Sequence, residues 1–175
     1  NTHDIGKLKV ESARDTLLAL NPCIKVTPLY QRLDKDSLAE HVAQVDVVLD
    51  CSDNLPTRLA INQACVNTQT PLVSGAAIRM EGQITIFQND PPNSACYRCL
   101  YPGGDVPTET CTQTGILAPI AGIIGSMQAL EAMKLIMGVG ETLTGWLLLF
   151  DALNMEFVRV KLLKNSGCPV CMLAP

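Results

Sequence analysis

Apolar positions in the first twenty residues recur at helical rather than strand spacing. In "KLKVESARDTLLAL", residues 7–20, Val10, Ala13, Leu17 and Leu20 fall three or four apart and Asn21-Pro22 closes the run, which predicts a helix. "CIKVTPLY" then predicts a short strand, confined by its proline to a sheet edge. A second helix is predicted around 36–42. The run "VDVVLD", residues 45–50, is almost wholly apolar, as in a strand covered on both faces. It leads through a polar loop, "CSDN", into "LPTRLAINQACVNT", a predicted helix with Pro56 in its first turn. "PLVSGAA" reads as the next buried strand. Strand, loop, helix and strand in about thirty residues make a parallel crossover unit. Ligands of such sheets bind beyond the carboxyl ends of the strands, which puts residues 50–54 where a site is expected.

The second half reads differently. "GQITIFQ" alternates like a half-covered strand, and the Pro/Gly-bearing stretch that follows, to about residue 114, predicts irregular structure. Residues 116–137 approach membrane-spanning length, but Gln128, Glu131 and Lys134 recur at every third position. That pattern predicts a buried helix with one wet stripe rather than a membrane span. "GWLLLF" and "EFVRVKLL" are separated only by "DALNM", a link short enough for an antiparallel pair. The expected fold is one α/β domain over residues 1–175. Its Rossmann-like mixed sheet would have a parallel first half, antiparallel C-terminal strands and helices on both faces.

Composition narrows the function. A chain of 175 residues with 47% hydrophobic content can bury a full core. A net charge of −4 without a basic block argues against nucleic acid as a partner. The opening "NTHDIGKLKV" has neither an initiator Met nor a secretory signal, so a segment from within a longer, cytoplasmic protein is expected. Eight cysteines in that setting point to a reducing compartment, where thiols serve metals or catalysis. Cys23, Cys51 and Cys65 lie among apolar residues and are expected to be plain core positions.

Four other cysteines form two matched pairs. "SACYRCLYPG" carries Cys96 and Cys99, and "SGCPVCML" carries Cys168 and Cys171, each pair in a turn-forming context. Two such knuckles offer four thiolates to a tetrahedral zinc ion. With every position filled by protein the ion would be structural, tying the chain's last residues to its middle. A redox dithiol fits less well, because a reactive Cys-x-x-Cys normally opens a helix in a thioredoxin-like unit, and none is predicted.

Taken in order, "KVESARD", "DVVLDCSDNLPTR", "PLVSGAAIRMEGQITIF", "CYRCLYP", "TCTQTGILAPIAGIIGSMQALEAMKLI", "LLLFDAL" and "GCPVC" resemble the MoeB/ThiF family, bacterial relatives of ubiquitin-activating enzymes. "SGAAIRMEGQIT" looks most like the MoeB branch. The resemblance implies an adenylyltransferase that uses ATP and Mg²⁺ on a ubiquitin-like sulfur carrier protein of the MoaD or ThiS type. It would adenylate the carrier's C-terminal Gly-Gly carboxylate, for molybdopterin or thiamine biosynthesis, and release pyrophosphate. It also implies a homodimer. The alternative is a truncated, zinc-stabilised module that only binds the carrier.

The resemblance also implies residue roles. Asp53, by itself readable as a turn-forming Asp, matches the family's Mg²⁺-binding aspartate, and Asn54 matches a nucleotide-contacting position. Lys9, otherwise an exposed helical lysine, matches an ATP-contacting lysine; nothing attaches to nearby Lys7. Cys111, in "TETCTQTGI", matches the thiol that forms a thioester or acyl-disulfide with the carrier. Arg58 would support the loop through its carboxylates, Asp50 would cap the strand end or orient neighbours, and Arg79 and Met80 would lie near the carrier's docking surface, with Met80 read equally well as a gap-filler. His3 and His41 have no partner pattern. No G-x-G-x-x-G occurs in the chain. The resemblance puts that phosphate loop before the first residue, so these 175 residues alone are expected to bind ATP poorly.

Overall fold

A computed structural model of the protein describes residues 2–88, 94–103 and 115–172. The chain divides into two compact units, Asn1–Asp34 and Lys35–Pro175. The first holds a short 3₁₀ turn at Thr2–Asp4 and helix α1, Lys9–Leu20. The Asn21 N–H closes α1 on the Leu17 carbonyl, and Pro22 cannot continue it. No residue of α1 is buried, so its predicted apolar stripe forms without a core beneath it. "CIKVTPLY" is not a strand: residues 25–30 have no ladder partner among the described residues. Strand propensity without a neighbouring edge leaves the backbone N–H and C=O groups to solvent, and extended coil results.

The second unit is a five-stranded sheet in sequence order, β1 Val48–Asp50, β2 Leu72–Ile78, β3 Glu81–Phe87, β4 Trp146–Asp151 and β5 Glu156–Lys161. β1 and β2 are parallel, joined by helix α3, Leu55–Thr68, and preceded by α2, Lys35–Val42. Every later pair is antiparallel. The sheet is therefore mixed, as expected, with its parallel part reduced to a single pair among the described residues. β2 turns into β3 through Arg79-Met80 alone, with Arg79 at φ 51°.

Side chains alternate across the sheet. Leu72 and Phe87 point to the face covered by α3 and the short α4, Tyr97–Leu100, and pack with Leu55, Cys65 and Tyr97. Val73, Ile84 and Ile86 point to the face covered by α5, Ala118–Met137. Leu72, Val73, Ile84 and Ile86 are essentially inaccessible, each worth about 1.5–3 kcal/mol of burial. α5 sits close because Gly75 and Gly82 lie beneath it. A Cβ on Gly75 would come within 2.3 Å of the Gln128 amide carbon, and one on Gly82 within 2.6 Å of Ile124.

The predicted wet stripe on α5 is reversed. Gln128 and Glu131 are buried against the sheet, while Leu130, Met133, Ile136 and Met137 are more than half exposed. The Glu131 carboxylate accepts the Leu143 N–H at 2.8 Å and pairs with Lys134. By length and composition α5 is apolar enough to cross a membrane, but Ile120, Ile124, Gln128 and Ala132 seat it on the sheet.

Candidate functional site: the β1–α3 loop and the thiolate cluster

β1 ends at Asp50, and the chain must turn there to enter α3. The Asp50 side chain is buried, and both its oxygens are engaged. Oδ1 accepts from the Ser52 N–H (2.9 Å) and hydroxyl (2.6 Å), and Oδ2 accepts from Arg58 Nη1 (3.4 Å). Arg58, one turn into α3 and itself buried, also donates to Ser74 Oγ (3.4 Å), to the Gly75 carbonyl (3.0 Å) and to the Ser52 carbonyl. Helix, loop and β2 are thus fastened around one ion pair. A buried charge survives only when paired and hydrogen-bonded, and here it is both. The expectation that Arg58 supports the loop through its carboxylates is met at Asp50.

Asp53 differs from Asp50 in each respect. It is exposed, and the hydrogen bond recorded for its carboxylate comes from Asn54 Nδ2 at 3.2 Å. Asn54 is the N-cap of α3: its Oδ1 accepts the Thr57 N–H at 3.0 Å. The loop therefore presents an exposed carboxylate, held only by Asn54, beside the positive end of a 14-residue helix. One exposed carboxylate suits Mg²⁺, which takes one or two protein oxygens and fills the rest from phosphates and water.

From the opposite face Gln128 reaches into the same strand ends. Its Nε2 donates to the Asp50 carbonyl (2.9 Å) and the Val73 carbonyl (3.2 Å), and its Oε1 accepts from Cys51 Sγ (3.4 Å). Sequence reasoning took Gln128 for a solvent-facing residue. The available signal was Gly75, a strand glycine that marks a close approach by another group.

Cys51 is exposed rather than core, as is Cys23 in the first unit; Cys65 is buried as expected. Burial, with a further push from Asp50, raises the Cys65 thiol to about 12. In the first unit Lys9 opens α1 and lines an open groove of about 510 Å³ with Asp4, Lys7, Ser12 and Thr16. Lys7 is paired with Asp4 at 3.3 Å, whereas no ion pair is recorded for Lys9 among the described residues. Arg79 and Met80 form the β2–β3 turn, and the Arg79 backbone exchanges hydrogen bonds with Gly115 and Leu117 at 3.0 Å each. Cys111 lies outside the described residues.

The four paired cysteines converge. All four sulfurs lie within 4.8 Å of one another, with separations of 4.0 Å for Cys96–Cys99, 3.7 Å for Cys96–Cys168 and 3.4 Å for Cys99–Cys171. Sulfurs at the vertices of a tetrahedron around Zn²⁺ stand about 3.8 Å apart for a Zn–S bond of about 2.3 Å. The geometry fits a metal of that size. Burial raises Cys96 to about 11. At Cys168 burial also pushes upward, but the N–H groups of Cys171 and Val170 and the neighbouring thiols outweigh it and bring the group down to about 7. Cys171 is pushed the other way, upward, by burial and by the same neighbouring thiols.

The ThiF family model matches residues 1–170. The chain is 47% identical over 169 residues to the molybdopterin-synthase adenylyltransferase of Escherichia coli K12, covering 95% of this chain and 67% of that protein. It is 43% identical over 170 residues to the sulfur carrier protein ThiS adenylyltransferase of the same organism, covering 97% and 67%. Among solved structures, E. coli MccB + ATP superposes with a TM-score of 0.78 at 19% identity, over 98% of this chain and 52% of that one. That likeness shows the fold. The chain thus spans about two thirds of these curated relatives and about half of that solved chain.

Proposed function

The chain belongs to the ThiF family, and from that premise we propose that it adenylates the C-terminal glycine of a ubiquitin-like sulfur carrier protein, using ATP and Mg²⁺, for molybdopterin or thiamine biosynthesis. The observation that carries this reading is the contrast between two aspartates three residues apart. Asp50 is fully used in holding the loop, whereas Asp53 stands exposed at its tip with a single bond, from the Asn54 side chain.

The difficulty of the reaction is electrostatic, since a carboxylate and a polyphosphate repel as they approach. Mg²⁺, when bound, supplies the neutralising charge at the α-phosphate. Asp53 would hold that ion, and Asn54 fixes Asp53 through its amide while capping α3. The Asp50–Arg58 pair and Gln128 keep the strand ends in place, so the loop need not reorganise as charge develops. Lys9 would give a compact positive charge to a phosphate oxygen. Cys111 would be the thiol that later links to the activated carrier. Cys96, Cys99, Cys168 and Cys171 would hold a structural Zn²⁺, and the free thiols suit a cytoplasmic, reducing location.

The same reading includes a homodimer. The outward face of α5 is small at its start, with Ala121, Gly122, Gly125 and Ala129, and large and apolar at its end. A face of that kind favours close packing against another helix, and a second copy of the chain supplies one.

Exchange of labelled pyrophosphate into ATP tests the activity. The reading predicts exchange by the complete protein that depends on a carrier ending in Gly-Gly. Exchange that is absent with intact carriers, or equal with a carrier lacking the tail, would contradict it.

A further inference from the structure

Asn62 lies in the middle of α3, is 1% exposed, and touches the cysteine cluster. Its Nδ2 donates to Cys96 Sγ at 3.7 Å, a length normal for a hydrogen bond to sulfur, and its Oδ1 accepts the Tyr97 N–H at 2.8 Å. The two bonds serve different ends. One places a donor on a ligand sulfur. The other fixes the first turn of α4, whose Cys99 N–H closes on the Cys96 carbonyl at 2.9 Å and so presents both sulfurs of the knuckle together.

Two donors act on that sulfur, the Cys99 N–H of its own knuckle and the Asn62 amide from outside it. Cys96 is 1% exposed, and Val66, one turn beyond Asn62, packs with Cys96, Cys168 and Cys171. A buried thiolate without hydrogen bonds carries its full negative charge into apolar surroundings, and each donor that reaches it lowers that cost. We infer that Asn62 is a positioning residue of the metal centre: its amide group stabilises Cys96 as a thiolate ligand and holds the knuckle in the geometry that binds the ion. The inference rests on the reading of the four cysteines as a metal centre. It adds that α3, whose first turn builds the Asp53 loop, is bonded to that centre at its middle.

The test compares the purified protein with Asn62→Asp and Asn62→Leu, using zinc and cobalt as probes. Asn62→Asp keeps an acceptor for the Tyr97 N–H and loses the donor to sulfur; Asn62→Leu loses both. Competition against a chelator should show zinc held about 10–100-fold more weakly by Asn62→Asp. The sulfur-to-cobalt charge-transfer band of its cobalt form should shift. Far-ultraviolet circular dichroism at saturating zinc checks that the variant remains folded. If Asn62→Leu does not fold, the Asp variant carries the test alone. Wild-type affinity and an unshifted cobalt band in Asn62→Asp would overturn the inference while leaving the metal centre standing. A wild-type protein that takes up neither zinc nor cobalt would overturn the metal reading itself, and the inference with it.

Discussion

Asp50 and Asp53 occupy one short loop and carry the same functional group, yet their surroundings assign them opposite tasks. Asp50 has two bonds from Ser52 and an ion pair with Arg58 inside the fold, so it is a structural anchor. Truncating Arg58 to Ala should leave that carboxylate buried and unpaired, at a cost of about 3–5 kcal/mol in stability by chemical denaturation. A loss below about 1 kcal/mol would mean that water reaches Asp50 and the anchor reading is wrong. Cys65 makes a second residue-level prediction. Its folded thiol titrates near 12 against an ordinary 9.0, so below about pH 9 it is protonated in both states and has no pH effect. Above that, the unfolded chain ionises first and stability falls as pH rises. The melting temperature should therefore drop less in Cys65→Val than in wild type between about pH 8 and about pH 10.5. Equal drops would place the alkaline loss elsewhere. The roles of Asp50 and Arg58 were within reach of sequence reasoning because strand ends and first helical turns are local. Asn62 was not, although a polar residue on the buried side of a helix, one turn from Val66, is a signal in itself.

Among elements, α3 and α5 define the site from opposite faces of the sheet. Periodicity placed a helix within residues 116–137, and α5 runs Ala118–Met137, but the pattern could not orient it. A stripe of Gln128, Glu131 and Lys134 looks like a solvated face unless one knows that strand-end carbonyls and the Leu143 N–H await it. Local pattern reports that two faces differ; only tertiary partners decide which is inside. The strand expected at "CIKVTPLY" failed for a related reason, since a strand needs an edge to pair with. The inverted polarity of α5 leads to a prediction about assembly. Replacing Ile136, 65% exposed, by Glu should not disturb the folded subunit, because nothing in the core rests on it. It should shift the protein from the proposed dimer to a monomer in sedimentation analysis. A wild-type monomer, or a variant that dimerises as tightly as wild type, would contradict the proposed interface.

At the scale of the molecule, matched Cys-x-x-Cys pairs 72 residues apart meet in space, so the last described turn is fastened to the middle of the chain. That closure was legible in the sequence because ligand spacing is a local signature even when the contact is not. The fold class was legible too, since the crossover unit and the later hairpin both follow from short links. The contacts that make the site rigid were not: they join residues 16 to 78 positions apart, as in Arg58 with Ser74 and Gln128 with the Asp50 carbonyl. Together these contacts hold a single loop still, with one carboxylate presented at its tip. The most direct test is therefore carrier-dependent ATP–pyrophosphate exchange by the complete protein with Asp53 replaced by Ala, its folding verified by an unchanged melting temperature. The account predicts a fall of about 10²–10³-fold; exchange at the wild-type rate would contradict it.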